Sequence, residues 1–273
     1  MKRNLSLCML IIAVFGFLPL QAQKKLKPVI TIQIPEGDGS NSAAIVWHPI
    51  QKKYYTSMAG NAIYTMGVYD SKGNPVQEDV DAEYDYRGMW YNPLSKRIEF
   101  NCYDSGGIGH LVLNAKGEIG SKVIDFAGSN QPDDQSVGVY HTASNSIMYL
   151  SKLYSVERYN PKNGKVMLPF TNLHVGCKKE SEVQELDSDT ETTRWEGRNT
   201  SSVQYTGLPK GELAVLNVDD RTIELYDQKT GLLTKTAFSI PEDVTIHLNF
   251  NFSYSNGIWW FFNKDERKWV GCK

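Results

Sequence analysis

Short apolar runs separated by turn-forming residues follow one another along most of the chain. Examples are residues 97–103 (RIEFNCY), 147–149 (IMY) and 213–215 (LAV). Runs of about four to eight residues that are rich in β-branched and aromatic side chains predict strands, whereas an amphipathic helix needs apolar positions three and four residues apart over about 12 residues. Because that longer period is missing from the sequence, the pattern predicts an all-β protein.

One element of this pattern occurs five times: an aromatic residue, one polar residue, and then Pro, Thr, Gly or Asn. The five aromatic residues are Trp47, Tyr91, Tyr140, Tyr205 and Tyr254. They are separated by 44, 49, 65 and 49 residues, and a β-prone run follows each of them. Repetition at a nearly constant interval is the sequence signature of a repeat architecture.

A second element recurs in phase with the first and predicts hairpin turns. Its four instances are residues 69–73 (YDSKG), 113–117 (LNAKG), 159–164 (YNPKNG) and 226–231 (YDQKTG). In each of them Asp or Asn opens the turn, and Gly stands where the backbone φ is expected to be positive. A unit of about 45 residues that contains four strands predicts one blade of a β-propeller.

The fifth unit is incomplete in a way that predicts how the ring closes. After Tyr254 the sequence predicts three strands, the last at 268–272, and then the chain stops. Residues 27–36 predict a strand without preceding partners and resemble residues 236–242, which end the fourth unit. We expect this N-terminal strand to fill the fourth position of the last blade, which removes an exposed sheet edge. The prediction is a five-bladed propeller; a sixth, degenerate blade inside the interval of 65 residues is the alternative.

These repeats resemble those of exported bacterial β-propellers of the YVTN-like or quinoprotein-like class, in which a YD-x-K-x-G turn precedes the outer strand. The resemblance covers nearly the whole chain after its N-terminal segment. It implies a propeller fold, although such repeats commonly occur in sets of about six to eight blades.

Residues 1–22 predict a cleaved secretory signal peptide. Lys2 and Arg3 precede an apolar stretch at 5–20, and Ala22 stands at the expected cleavage point. The stretch is short for a membrane span, which needs about 20 apolar residues, so an uncleaved anchor is only the alternative. We therefore expect residues 23–273 to form one propeller domain, secreted or periplasmic, without a membrane span.

Composition excludes two classes of protein. Hydrophobic residues make up 41% of the chain, which is enough for a sizeable core and excludes bulk disorder. The formal net charge is −2, and it becomes −4 once the two basic residues of the signal peptide are removed. A nucleic-acid-binding protein needs a basic surface to neutralise phosphates, so no nucleic-acid partner is expected. A monomer is the expected state.

Three cysteines remain after signal cleavage, and an odd number cannot form a complete set of disulfides. Cys102 lies in a predicted strand and is expected to be a small core residue. Cys177 and Cys272 could form a disulfide in an oxidising compartment, or stay reduced.

The long interval holds a polar insertion at about 171–200. Residues 187–191 (DSDTE) imitate the start of a calcium loop, but Thr192 stands at the position of the required Gly and Arg198 at that of the bidentate Glu. We therefore expect a solvated loop. Trp195 lies among charged residues of this insertion, and is predicted to stack on a sugar ring or partner surface, or to cover the mouth of the propeller as a lid.

The predicted site is the set of loops that join the outer strand of one blade to the inner strand of the next. These loops lie at one end of the channel, and each carries acidic residues. The predicted ligand-binding residues are Glu83, Asp85, Arg87, Asp134, Trp195, Arg198, Asp243 and His247. A ring of carboxylates at this mouth predicts a non-catalytic binding module for an extracellular or periplasmic protein or a glycan. No cofactor is expected, with a calcium ion at the acidic mouth as the alternative. The acids are also explained one by one as turn formers.

A carbohydrate-active enzyme is the alternative function. Glycoside hydrolysis needs two carboxylates at a set separation, and a propeller mouth could provide them. The sequence contains no nucleophile elbow, HExxH motif or phosphate-binding loop. Two or three channel carboxylates within about 5–10 Å, beside an aromatic platform, would favour the enzyme.

Overall fold

A computed structural model of the protein describes residues 22–37, 39–77, 80–128, 130–184 and 193–273. Residues 1–21 of the predicted signal peptide, and the residues that imitate a calcium loop, lie outside this part of the chain. Helical structure in this part is limited to one 3₁₀ turn, Asp104–Gly106, the short helix α1 (Glu180–Gln184), and residues 193–194. None of the described helices has the length and apolar character needed to cross a bilayer.

The strands form five sheets arranged as the blades of a β-propeller. Two N-terminal strands come first, β1 (Ala22–Lys25) and β2 (Pro28–Gln33). Blade one consists of β3 (Asn41–His48), β4 (Lys53–Ala59), β5 (Thr65–Tyr69) and β6 (Val80–Asp81). Blade two consists of β7 (Tyr86–Asn92), β8 (Arg97–Cys102), β9 (Ile108–Leu113) and β10 (Ile119–Phe126).

The remaining blades repeat this order. Blade three consists of β11 (Val139–His141), β12 (Ser146–Leu150), β13 (Ser155–Tyr159) and β14 (Val166–Asn172). Blade four consists of β15 (Gln204–Tyr205), β16 (Leu213–Asn217), β17 (Thr222–Tyr226) and β18 (Leu233–Ser239). Blade five consists of β19 (Phe252–Ser255), β20 (Ile258–Asn263), β21 (Lys268–Cys272) and the N-terminal β2. The predicted all-β, five-bladed fold is confirmed.

The ring closes as the sequence predicts. Strand β2 pairs antiparallel with β21, with Ile32 opposite Trp269 and Pro28 opposite Cys272. The first and last parts of the chain therefore complete one sheet together. The interval of 65 residues holds a long connection, residues 173–203, in place of a sixth blade among the described residues.

Strand β1 is a feature that the sequence analysis missed. It pairs parallel with β18, with Ala22 opposite Thr236 and Lys25 opposite Ser239, so blade four has five strands. This strand begins one residue before the predicted start of the propeller domain. It covers the backbone donors and acceptors along the outer edge of β18.

The repeated turns have the predicted chemistry. In the first of them, Asp70 Oδ1 accepts hydrogen bonds from the backbone N–H groups of Lys72 (2.8 Å) and Asn74 (2.9 Å). Gly73 has a φ of 89°, in the left-handed region that favours glycine. Hydrogen bonding from Asn74 also lowers the pKa of Asp70. Each turn therefore joins two neighbouring strands of a blade as a hairpin.

The core lies between neighbouring blades, and β20 shows how. Trp259 and Phe261 pack with the core of blade four, whereas Trp260 and Phe262 pack with blade one. Successive side chains of a strand point to opposite faces of the sheet, so one run of four aromatic residues joins three blades. All four side chains of this run are buried.

The three cysteines of the described chain are not joined by disulfides. Cys102 is a buried core residue, as predicted, and Cys177 and Cys272 are buried as well. Burial raises the pKa of Cys102 and of Cys272 to about 12, so both thiols are protonated at neutral pH.

Candidate functional site

The inner strands of the five blades all run in the same direction along the channel. Their starts and their ends therefore define two opposite faces of the propeller. The loop face carries the connections between successive blades, which are described at residues 34–37, 39–40, 82–85, 127–128, 130–138, 173–184, 193–203 and 240–251. The turn face carries the hairpin turns that follow the inner strands, residues 49–52, 93–96, 142–145, 206–212 and 256–257. The predicted acidic site belongs to the loop face.

On the loop face, Asp85 and Arg87 form an ion pair. Nη1 of Arg87 donates to Asp85 Oδ1 at short range, and Nε donates to Gln135 Oε1 at 2.8 Å. The guanidinium also lies 4.6 Å from the ring centre of Tyr103, in cation–π geometry, and only 5% of Arg87 is exposed. The charge of Asp85 is therefore compensated within the protein.

Other acids of this face are dispersed or paired as well. Glu83 Oε1 accepts a hydrogen bond from Lys122 Nζ at 2.9 Å, and Asp133 pairs closely with the exposed Lys152. The side chain of Asp134 is exposed, while its backbone carbonyl accepts a hydrogen bond from Gln131 Nε2 at 3.3 Å. Within the described ranges, no three His, Cys, Asp or Glu side chains come together to hold a metal ion.

Arg198 lies inside blade four. Its Nε and Nη2 atoms donate to the two carboxylate oxygens of Glu224, at 2.9 and 2.8 Å. Burial alone would raise the pKa of Glu224, but the hydrogen bonds and charge of Arg198 lower it. This bidentate pair ties the long connection to the sheet and so accounts for Arg198 structurally.

Trp195 is a core residue, so the interpretation of this ring as an exposed platform or a lid was wrong. Only 2% of Trp195 is exposed, and its ring stacks on that of Tyr154 with 4.5 Å between ring centres and an angle of 13°. Apolar residues of the same connection, such as Val175 and Val203, pack in the same cluster. The polar sequence around Trp195 concealed these few core positions.

Asp243 and His247 both lie in the connection between blades four and five. Asp243 is exposed. The backbone carbonyl of His247 accepts a hydrogen bond from Asn199 Nδ2 at 3.0 Å, and burial lowers the pKa of its imidazole. Of the eight predicted residues, Asp85 and Arg87 share a side-chain contact, and the others lie in separate groups on or behind the loop face.

The turn face has a cavity of about 320 Å³ at the end of the channel. Residues of the hairpin turns, such as Pro49, Thr142 and Asn256, form its rim, and Ala43, Ala44 and Gly138 lie deeper. Its wall includes the aromatic residue of every repeat, namely Trp47, Tyr91, Tyr140, Tyr205 and Tyr254. We refer to this cavity, defined by those five residues, as the aromatic pocket.

The lining of the aromatic pocket is uncharged. Its described residues are aromatic, aliphatic or neutral polar ones, without Asp, Glu, Lys, Arg or His. Burial raises the pKa of Tyr91 and Tyr254, and that of Tyr140 to about 12, so these phenols are neutral at physiological pH. The pocket therefore offers apolar ring faces and neutral hydrogen-bonding groups.

Several of those groups are available to a ligand. Within the described chain, the hydroxyl groups of Tyr91, Tyr205 and Tyr254 and the indole N–H of Trp47 make no hydrogen bond, and none of them is enclosed. The hydroxyl group of Tyr140 differs, because it donates closely to Asn145 Oδ1. Four of the five repeat aromatics that line the pocket thus carry a polar group without a partner in the described chain.

The rings themselves are held by second rings. His48 of blade one packs against Tyr91 of blade two with 4.8 Å between centres, and His141 of blade three packs against Tyr205 of blade four at 4.3 Å. Trp47 and Tyr254 each pack on a ring of their own blade, at 4.6 and 4.2 Å. Both histidines are buried.

The signal for the aromatic pocket was present in the sequence as the five-fold aromatic repeat. This repeat also gives the number of blades. Equivalent positions at the end of every inner strand must surround the propeller axis, so the same repeat also predicts a ring of aromatic residues at one mouth. The predicted acidic site lies at the opposite end of the channel, on the loop face.

Comparisons with known proteins agree with the fold. The sequence matches no family model and no curated protein. A solved glutaminyl cyclase from Myxococcus xanthus matches 92% of this chain and 97% of its own, with a TM-score of 0.56 and 8% identity. At this identity the similarity shows the β-propeller fold alone.

Two further solved structures match less well. A catalytically inactive virginiamycin B lyase from Staphylococcus aureus has a TM-score of 0.39, with 13% identity over 87% of this chain and 67% of that chain. A gluconolactonase from Xanthomonas campestris has a TM-score of 0.42, with 12% identity over 90% of this chain and 87% of that chain. No activity of this chain follows from these similarities.

Proposed function

We propose that the protein is an exported binding module that takes the end of its ligand into the aromatic pocket. One observation carries this proposal: the aromatic residue of all five repeats lines one cavity, at the mouth of the channel. Concave sites with aromatic walls and a few polar groups are typical of ligand binding. The acidic loop face offers fewer free groups, because Asp85, Asp133 and Glu83 are paired with cations.

The pocket supports binding in preference to glycoside hydrolysis, which requires two carboxylates. A buried carboxylate, Glu99, does lie close to the lining residue Trp90. Its oxygens accept hydrogen bonds from Trp90 Nε1 (3.0 Å), Asn92 Nδ2 (2.9 Å) and Ser95 Oγ (2.8 Å). A carboxylate engaged by three neutral donors stabilises its hairpin, and it is not among the lining residues.

The proposal is tested by a thermal-shift screen of the protein without residues 1–21, against neutral sugars, acidic sugars, amino acids and calcium. A compound that binds only the folded state raises the melting temperature by mass action. The expected result is a shift that Trp47→Ala and Tyr254→Ala abolish. Phe170→Ala is the matched control, since Phe170 is an aromatic residue exposed on β14. A shift that all three variants retain would contradict the proposal.

A protein partner on the loop face is the second candidate. A second cavity, of about 310 Å³, lies there and is lined by Asp133, Lys152, Tyr154 and Phe250 among others. Tyr154 and Phe250 have φ values of 57° and 48°, a conformation that costs bulky residues about 1 kcal/mol or more and is concentrated at functional sites. A shift that persists in Trp47→Ala but is lost in Asp134→Ala or Lys152→Ala would favour this face.

A further inference from the structure

We infer that the ligand of the aromatic pocket is an uncharged saccharide, a mono- or disaccharide or the end of a longer glycan. The inference deepens the proposed function and depends on it. It follows from three properties of the pocket: the absence of charge among its described residues, the position of its polar groups, and the rigidity of its rings.

The first property excludes a charged ligand. An ion that enters the pocket gives up part of its hydration, and the described lining has no opposite charge to replace it. The phenol groups cannot supply one at physiological pH, because burial raises the pKa of Tyr91, Tyr140 and Tyr254. An acidic sugar, a nucleotide or an amino acid therefore fits this pocket poorly.

The second property excludes a purely apolar ligand. Such a ligand would cover the ring faces, but it would also cover the hydroxyl groups of Tyr91, Tyr205 and Tyr254, which have no partner in the described chain. A buried polar group without a hydrogen bond costs about 1–3 kcal/mol. A sugar ring avoids this cost, since it has C–H faces that pack on aromatic rings and hydroxyl groups around its edge.

The third property, the rigidity of the rings, favours the binding of a small uncharged ligand, which makes few contacts. His48 supports Tyr91 and His141 supports Tyr205 across blade boundaries, and His141 is itself fixed by Gln228, with 2.6 Å between Nε2 and Oε1. Ser255 Oγ accepts a hydrogen bond from the backbone N–H of Trp47 at 2.7 Å, which joins blades one and five at the rim. Rings that are fixed before binding lose little entropy on binding.

The size of the cavity sets the length of the bound part. A volume of about 320 Å³ is at the lower end of the range for small-molecule sites, about 300–1,000 Å³. Ala43, Ala44 and Phe252 line its deeper part, so the ligand enters from the turn face. One or two sugar rings fit this depth, and a longer glycan would continue outward past Thr142 and Asn256.

The experiment is isothermal titration of the protein without residues 1–21, with mono- and disaccharides of neutral hexoses and N-acetylhexosamines. The corresponding uronic acids and indole serve as acidic and apolar probes. We expect at least one neutral sugar to bind about tenfold or more tightly than its uronic acid. Its affinity should be the same at low and high salt, since no ion pair contributes.

Variants of one residue separate the two roles of the rings. Tyr205→Phe removes only the hydroxyl group and should weaken binding of the neutral sugar about three- to tenfold, the worth of one hydrogen bond. Tyr205→Ala removes the ring as well and should weaken binding further. Phe170→Ala is the control and should bind as the unchanged protein does, while the melting temperature of each variant shows that it is folded.

The possible failures are distinguishable. Binding of a uronic acid as tight as that of the neutral sugar, with the same dependence on Tyr205, would overturn the inference and leave the pocket as the binding site. Tight binding of indole that Tyr205→Phe does not change would do the same. Sugar binding that neither Tyr205→Ala nor Trp47→Ala affects, or no binding by any probe, would overturn the proposed function together with the inference.

Discussion

Gly88 and Gly138 lie in direct contact where the inner strands of blades two and three approach each other. A Cβ atom added to Gly88 would lie 2.4 Å from the backbone oxygen of Gly138, well inside the contact distance of any side chain. The backbone N–H of Gly138 also donates to Asn101 Oδ1 at 2.9 Å. The two glycines therefore set how closely blades two and three pack beside the channel.

Gly88→Ala should destabilise the protein by about 1–3 kcal/mol, because the added methyl group forces the two strands apart. The measurement is urea-induced unfolding followed by tryptophan fluorescence. Gly120→Ala is the control, since a Cβ atom there has one neighbour, the backbone oxygen of Val112 at 3.4 Å. Equal stability of the two variants would show that the close approach of Gly88 and Gly138 is relaxed in solution.

Breaking the ion pair inside blade four should be costly at neutral pH. Glu224→Gln leaves the charge of Arg198 buried without its partner, which should lower stability by about 3–5 kcal/mol. The pKa of Glu224 is lowered in the folded state from its ordinary 4.5. The stabilisation is therefore present above pH 4.5 and is lost as the pH falls through the folded pKa.

Unfolding curves of the unchanged protein and of Glu224→Gln at several pH values from 7 to 3 test this. Their difference in stability should shrink in acid. Glu242→Gln serves as control, because Glu242 is an exposed partner of Arg221 with 3.4 Å between Oε2 and Nε. An exposed ion pair contributes about 1 kcal/mol or less to stability. If Glu242→Gln destabilised the protein as much as Glu224→Gln does, the buried pair would not be the more important one.

The histidines behind the aromatic pocket should make the protein less stable in mild acid. Burial lowers the pKa of His48 and His141 below 6.5, although hydrogen bonds partly oppose this. Below pH 6.5 these two imidazoles bind protons more readily in the unfolded chain than in the folded one. The free energy of unfolding therefore falls as the pH falls. The melting temperature should therefore decrease between pH 7 and pH 5, and less so in the double variant His48→Gln with His141→Gln. If the melting temperature of that variant depended on pH as that of the unchanged protein does, the two histidines would not be the cause of the acid sensitivity.

The closing strand should contribute strongly to stability. Ile32 is fully buried against Trp269 and neighbouring aromatic residues, and Ile32→Ala should cost about 2–5 kcal/mol. Val29 lies in the same strand, but 56% of it is exposed, so Val29→Ala should change stability by less than about 0.5 kcal/mol. Similar unfolding midpoints for both variants would mean that β2 is not part of the cooperative core.

Much of the architecture was predictable because it depends on local chemistry that repeats. The hairpin turn at 69–73 is predicted by Asp70 and Gly73, which lie within one short segment. The repeated aromatic residue with its two following residues indicates where each inner strand ends. Closure by β2 followed from counting strands, since an incomplete sheet and an unpaired strand each leave an exposed edge. The sequence alone was sufficient for these features.

The candidate site was harder to predict because it depends on contacts between distant residues. The ion pair of Asp85 with Arg87 is local, but the pairing of Glu83 with Lys122 and of Arg198 with Glu224 is not. Trp195 was misplaced because the residues of its core cluster come from blades three and four and from both ends of the long connection. The acidic residues of the sequence therefore predicted a surface of free carboxylates, whereas the fold pairs several of these carboxylates with Arg or Lys.

The pairing of β2 with β21 also determines the order in which the protein can assemble. Pro28 lies opposite Cys272, so the sheet of blade five is incomplete until β21 has been synthesised. Contacts between such distant residues form slowly, because the entropy of closing the longest loop is lost first. During synthesis, which starts at the N-terminus, β2 therefore has no partner strand until β21 has emerged. The pairing of β2 with β21 is therefore the step that completes the ring.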